Sequence, residues 1–239
     1  MDLNICTNLI LNWIRYNYVT YVVVATVHTI MEAHDNEPVR SAVSGAGIVT
    51  PDGMPLVIAG KLRGLKIGRV YGPDLMLSIF ARSTASGPRH FLYGGDHGVV
   101  KILRARLEAQ FPDAQIVGDY SPPFRPMSAD EEESISKMID ASGTDIVWVG
   151  LGTPEQDLWM ARMRPQLQAC ILIGVGAAFD FHAGLKPQAP KIMQVLSLEW
   201  LFRLICEPRR LWRRYLINDP RFLYHLAKQY LSGSFRAAT

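Results

Sequence analysis

Long apolar runs are missing from this chain of 239 residues. The longest, Val19 to Val27, falls far below the roughly 20 residues a helix needs to cross a bilayer. Cysteine is scarce as well. Cys6, Cys170 and Cys206 are widely spaced and form no CxxC or Cys/His pattern, which excludes a disulfide framework and a zinc module and predicts buried, reduced thiols. His97 and His182 lack the spacing of zinc ligands, and no Asp-x-Asp pair occurs anywhere, so no metal is expected. A basic leader is absent: Asp2 and Asn4 stand where a secretory n-region would carry Lys or Arg, and the chain is expected to stay inside the cell. Linkers, repeats and low-complexity segments are also lacking. An excess of one charge is nearly so, at +3 overall, but the distribution is uneven. Glu199 to Thr239 hold eight Lys/Arg against three Asp/Glu, while the other residues hold 17 against 19. The basic character therefore belongs to the C-terminal tail, an asymmetry that points to a phosphate-rich or membrane partner.

What is present is an alternation of short apolar runs with amphipathic stretches. Tyr21–Ala25, Gly47–Thr50, His90–Tyr93, Gln115–Gly118, Ile146–Leu151 and Cys170–Val175 read as buried strands, rich in Val and Ile and bounded by Gly, Pro or Asp. Residues 29–43, 54–64, 74–86, 97–110, 128–141 and 155–168 have helical spacing. The pattern predicts an α/β fold, a mostly parallel sheet with helices on both faces. Ser128 with Glu131 reads as a capping box, and Ser121–Pro126, with three prolines, as a loop. From Lys191 the pattern is purely helical, so the chain divides into a domain over 1–190 and a helical basic appendage over 191–239.

Ligands of such sheets bind at the carboxyl ends of the strands, where this chain concentrates small and polar residues. Thr26 and His28 follow the first strand, and Asp52 in Pro51-Asp52-Gly53-Met54 follows the second. Gly94 and Gly95 follow the third. Gly150, Gly152, Gln156 and Asp157 follow the fifth, and Gly174-Val175-Gly176 with Asp180 follows the sixth. Each has two readings. Asp52 is a turn residue or a general base; His28 is a structural histidine or a site residue. Gly94-Gly95 forms a tight turn or admits a phosphate to backbone N–H groups. Asp180 caps the following segment or binds ligand. Asp74 is a helix N-cap or a binding residue, and Arg69 a surface residue or a partner for an anion at the rim. Phe179 occupies the place of the third glycine of a dinucleotide fingerprint, which argues against a nicotinamide site.

The tail brings Arg209, Arg210, Arg213 and Arg214 among Leu211, Trp212, Tyr215 and Leu216. Wound as one helix over 199–217, the arginines share a face and the large apolar side chains take most of the other, as suits an anionic surface with an oily layer beneath. A merely solvated face is the plainer reading. With an apolar stripe beside the arginines and no recognised nucleic-acid motif, a nucleic-acid partner is not expected.

In order, PDGM, RVYGPDLM, FLYGGDHGVV, VGLGTPEQDLW, GVGAAFDFHAG and APKIMQVLSLEWLFRLICEPRRLWRRYL resemble the WecG/TagA/CpsF glycosyltransferases, over nearly the whole chain. The resemblance implies a Rossmann-like fold with a C-terminal membrane-binding appendage. It implies an inverting, metal-independent transfer of a sugar from a UDP-sugar to a polyprenyl-diphosphate-linked acceptor, by an enzyme peripheral on the cytoplasmic membrane face. It carries the family's base onto Asp52, and the Thr-x-Asn after the first strand onto Thr26 and His28. The remaining site positions fall on Arg69, Gln156 and Asp180, and the acceptor-diphosphate arginines among Arg209, Arg213 and Arg214. Three departures stand at the expected donor site: His28 for Asn, Asp157 for Glu, and Gly-Gly-Asp-His-Gly where many members have Lys-Pro. They leave the donor open between N-acetylmannosamine and a hexose. A non-catalytic, membrane-associated nucleotide-sugar-binding module of the same fold is the alternative.

Overall fold

The computed structural model of the chain describes residues 1–96, 98–168 and 170–232. His97, in the glycine-pair loop, lies outside them. Six strands form one all-parallel sheet: β1 (Thr20–Ala25), β2 (Ile48–Pro51), β3 (Arg89–Gly94), β4 (Gln115–Tyr120), β5 (Ile146–Gly150) and β6 (Ile171–Gly174), in the order β2-β1-β6-β5-β3-β4. Each lies within a few residues of a run predicted from composition. The helices are α1 (Leu3–Arg15), α2 (Val27–Asp35), α3 (Glu37–Ser44), α4 (Met54–Leu62), α5 (Gly72–Phe80), α6 (Val99–Gln110), α7 (Ala129–Ala141), α8 (Glu155–Met163) and α9 (Ala178–His182). The appendage adds α10 (Lys191–Val195), α11 (Glu199–Cys206), α12 (Pro208–Arg213), a π-helical turn (Arg214–Asn218) and α13 (Asp219–Leu231).

Strand side chains alternate between the two faces, and the core divides accordingly. Val22 and Val24 of β1 and Ile146 and Trp148 of β5 meet α1, α5, α6 and α9 on one side. Val23, Ala25, Val147 and Val149 meet α2, α3, α7 and α8 on the other. Neighbouring strands β1 and β6 therefore send the chain to opposite faces, through α2 and α9. This is the switch point beside which α/β sheets open a crevice.

Several expectations are corrected. The helix α1 was not foreseen; Asp2 caps it by accepting from the Ile5 N–H at 3.0 Å, and Cys6 and Ile10 bury in the core. The stretch 29–43 is two helices, divided at Asn36 ahead of Pro38, whose ring cannot continue a helix interior. Asp74 is not an N-cap: α5 begins at Gly72, and Asp74 sits in its first turn. Cys6 and Cys170 are buried, but Cys206 is exposed. The segment 199–217 is not one helix. Glu207 leaves helical geometry (φ −133°, ψ 59°) ahead of Pro208, so α11 and α12 diverge. The capping box of Ser128 and Glu131 is present at the start of α7. No helix among the described residues is long and apolar enough to cross a membrane.

The appendage folds back on the domain. Phe222 of α13 buries with Val27 and Met31 of α2, and Arg221 forms two hydrogen bonds with Asp35, at 2.8 and 2.9 Å.

Candidate active site

Two adjoining clefts, of about 620 and 570 Å³, open where the appendage crosses the carboxyl ends of β1, β2, β5 and β6. Thr26, Asp52, Arg203 and Arg214 line both. The backbone after β5 and β6, at Gly152-Thr153 and Gly174–Ala178, floors the inner cleft, and Arg203, Arg210 and Arg214 overhang it. Gly152 and Gly176 hold φ of +85° and +50°, where a side chain is strained, so glycine serves the turn itself. Gln156, at 4% exposure, accepts from the Gly152 N–H through Oε1 at 3.3 Å and braces that turn. The outer cleft has a different lining: Trp200, Tyr215, Gln194, His28 and Asp219.

Asp52 stands at the junction. Its backbone N–H donates to the Ala25 carbonyl at 2.8 Å, which ties the turn after β2 to the end of β1. Val70 donates to the Pro51 carbonyl at 2.9 Å, laying the segment that carries Arg69 alongside. Arg69 Nη2 then bonds Asp52 Oδ1 at 3.0 Å and Glu199 Oε2 of α11 at 2.6 Å, while its Nε bonds the Asp52 carbonyl at 2.6 Å. The guanidinium lies 4.2 Å from the centre of the Tyr71 ring. Among the described residues no hydrogen bond reaches Asp52 Oδ2. Burial pushes the Asp52 carboxyl up to about 6; Arg69 opposes the rise and the charge of Glu199 adds to it.

Thr26 caps α2, and its Oγ1 accepts from Arg214 Nη2 at 3.0 Å, so the appendage is latched to the first strand end. His28 Nδ1 lies 3.2 Å from Asn218 Nδ2, and burial, then the charge of Arg214, pull its imidazole down to about 4. It is neutral at physiological pH, able to hydrogen-bond without adding charge.

The structure thus brings together Thr26, His28, Asp52, Arg69, Gly152, Gln156, Arg210 and Arg214 of the residues the sequence singled out. Gly174-Val175-Gly176 joins them in the floor of the inner cleft. Gly94, Gly95, Gly150, Asp157, Asp180, Asp74, Arg209 and Arg213 line neither cleft, for physical reasons. Gly94 is glycine because a Cβ would meet the Gly150 backbone at 2.7 Å, and Gly150 because a Cβ would meet the Phe179 ring at 2.6 Å. Gly95, at φ +73°, packs against Val99 and Phe179. Asp157 is fully buried, and burial raises its carboxyl to about 6. Asp180 pairs with Lys186 at 2.7 Å. Asp74 lies in the first turn of α5, with burial raising its pKa. Arg209 and Arg213 are exposed, with the Arg213 guanidinium 5.3 Å from the Trp212 ring centre. Sequence reasoning missed Glu199, Arg203, Trp200 and Asp219, all from the appendage, and assigned Tyr215 to the apolar face of the tail, whereas it lines the outer cleft. No local pattern marks Glu199, because its partner Arg69 lies 130 residues earlier.

No group of three or more His, Cys, Asp and Glu side chains among the described residues is arranged to hold a metal ion. The arrangement offers a half-buried carboxylate at the meeting point of an arginine-lined cleft and an aromatic, polar one. Such a pairing suits transfer between a phosphorylated donor and a hydroxyl acceptor. The model of the glycosyl transferase WecG/TagA/CpsF family matches residues 1–236, and the chain belongs to that family of glycosyltransferases of surface-polysaccharide synthesis.

Proposed function

We propose that the chain is an inverting, metal-independent transferase. It moves a hexose or an N-acetylmannosamine-type sugar from UDP to a polyprenyl-diphosphate-linked saccharide at the cytoplasmic membrane face. The observation that carries this is Asp52 at the junction of the two clefts. The inner cleft suits a nucleoside diphosphate: Arg203, Arg210 and Arg214 supply the charge a leaving UDP requires. The outer cleft suits a saccharide, with Trp200 and Tyr215 for a sugar's apolar face and His28, Asp219 and Gln194 for its hydroxyls.

In the reaction the acceptor hydroxyl oxygen attacks the anomeric carbon from the side opposite UDP. Its proton passes to Asp52 Oδ2 as the new C–O bond forms. The bond from the anomeric carbon to the phosphate oxygen breaks, and UDP leaves with the electron pair. Arg69 holds Oδ1, which fixes the carboxylate's direction. The side chains exposed on the appendage support a membrane position: Ile205, Trp212, Leu216, Ile217, Leu223 and Tyr224 are exposed on the same appendage as the exposed Arg209 and Arg213.

A panel of UDP-sugars with a lipid-diphosphate acceptor, run with and without EDTA, tests the reading. The expected result is EDTA-resistant transfer from one donor with inversion at the anomeric carbon, and a loss of about 10²–10⁴-fold in turnover for Asp52→Asn. Near-normal turnover in Asp52→Asn removes Asp52 as base. An absolute need for Mg²⁺ or Mn²⁺ removes the metal-free mechanism, and silence with every donor favours a binding module.

A further inference from the structure

Arg69 is shared by two carboxylates from distant parts of the chain. Asp52 comes from the turn after β2, and Glu199 from the first turn of α11 in the appendage. All three side chains are at most one-fifth exposed, at 16% for Asp52, 20% for Arg69 and 12% for Glu199. Both carboxylates contact the same nitrogen, Nη2, at 3.0 and 2.6 Å, which holds their charged oxygens within about 6 Å of each other. One cation thus serves two anions in a half-dry site. The remaining guanidinium contacts, from Nε to the Asp52 carbonyl at 2.6 Å and to Asp52 Oδ1 at 3.3 Å and over the Tyr71 ring, leave Arg69 little freedom to turn.

We propose that Glu199 is a positioning residue for the transfer step: it shares the Arg69 guanidinium with Asp52 and, through its own charge beside the carboxylate, makes Asp52 a stronger base. The inference rests on Asp52 acting as the base.

The physical case is a competition. With Glu199 absent, the Arg69 charge is spent on Asp52 alone, its carboxylate is stabilised, and it holds a proton less well. With Glu199 in place, the guanidinium is divided and a second negative charge stands close by, so the proton is held more tightly. The other charged and titratable groups around Asp52 are Arg203 of α11, Arg214 of the π-helical turn and Tyr71. Arg203 and Arg214 act in the opposite sense, favouring the carboxylate. Glu199 is therefore the appendage group that offsets the appendage's own arginines. Without it, the two cations beside the base would weaken it.

The test is Glu199→Gln in the full chain, which keeps the side chain's size and an oxygen for Arg69 but removes the charge. Two readouts are taken. One is the acid limb of kcat/KM against pH with the preferred UDP-sugar. The other is the titration of the Asp52 carboxyl by carbon NMR on aspartate-labelled protein, assigned with Asp52→Asn. Both are expected to move to lower pH, by about one pH value. The plateau kcat is expected to fall about 3–10-fold, with KM for the UDP-sugar within about twofold. Glu199→Asp, which restores the charge, is expected to return the limb toward the wild-type position. An unmoved Asp52 titration in a folded Glu199→Gln protein overturns the inference. A titration that moves while the activity profile stays put leaves the electrostatic coupling standing and removes Asp52 as base instead. If Glu199→Gln does not fold, Glu199→Met, which keeps the side chain's length and removes its charge, carries the test: the Asp52 titration must move to lower pH, and superposition on wild type overturns the proposal.

Discussion

Asp52 combines two demands that pull apart. A base must be ionised at working pH, yet burial disfavours the ion and lifts its carboxyl to about 6 from an ordinary value of 3.8. The sign for stability follows. The folded state binds this proton more tightly than the unfolded state. The Asp52 contribution to stability is therefore full below the unfolded value and is lost as pH rises through about 6. At pH 7.5, Asp52→Asn should melt no lower than wild type, and the advantage should fade below pH 4. Thermal melts at both pH values check this, and a Tm several degrees lower at pH 7.5 would mean that the Arg69 pair outweighs burial. Transfer by wild type should rise about tenfold per pH value on the acid side and level off above about 6. The position of Asp52 was legible in the sequence because Pro-Asp-Gly closes a predicted strand. Its charged environment was not, because Arg69 and Glu199 converge only through chain crossings that no local pattern encodes.

At the scale of elements, the appendage matters for how it breaks. As one helix, 199–217 would set all four arginines on a single face. Glu207 and Pro208 interrupt it ahead of all four arginines, and within α12 and the turn after it Arg210 and Arg214 stand about 100° around the helix from Arg209 and Arg213. Arg214 turns inward to Thr26, with burial lowering its pKa, and Arg210 lines the inner cleft while pairing with Glu207 at 2.6 Å. Arg209 and Arg213 stay exposed, Arg213 with its guanidinium against the Trp212 ring. The two sets should separate in experiment. Arg209→Ala with Arg213→Ala should weaken sedimentation with anionic vesicles, and should change transfer to a short-chain, water-soluble acceptor far less. Arg214→Ala should cut turnover by about 10²-fold and leave vesicle binding near wild type. Equal losses in both assays for both variants would show that the arginines act as one surface. The helical periodicity of α6, α7 and α8 was legible because each packs one face on the sheet. In the appendage the same periodicity misled, since a single residue outside helical geometry redirects everything after it.

For the whole molecule, the sheet is the frame that brings the site together, and its centre is polar in one place. Trp148, in the middle of β5 and fully buried, donates through Nε1 to His90 Nδ1 at 3.1 Å, and His90 Nε2 lies 2.8 Å from Ser83 Oγ. Burial pulls His90 down to about 4, so the imidazole is neutral and accepts from the indole. Trp148→Phe removes that donor and leaves a void against Phe80, whose ring centre is 5.9 Å away. The expected cost is about 2–3 kcal/mol, read from urea denaturation. An unchanged midpoint would place the load of the core elsewhere. Because Trp148 pairs in register with Leu92 on one side and Ile173 on the other, loosening it should also disturb the strand ends that floor the inner cleft.

By itself the sequence determined the strands, most helices, the layered α/β class and the rim of small and polar residues, because strand and helix periodicities are local and burial imposes them directly. It also determined that the tail is cationic. Only the tertiary structure decided which rim residues share a cleft, that Gly94, Gly95 and Gly150 serve close packing, and that Asp157 lies in the core. It also decided that the appendage returns Glu199, Arg203 and Arg214 to the carboxylate at the end of β2. Those outcomes depend on where β2 and α11 come to rest relative to each other, and that is fixed by packing across the whole sheet and not by the residues beside them in the chain.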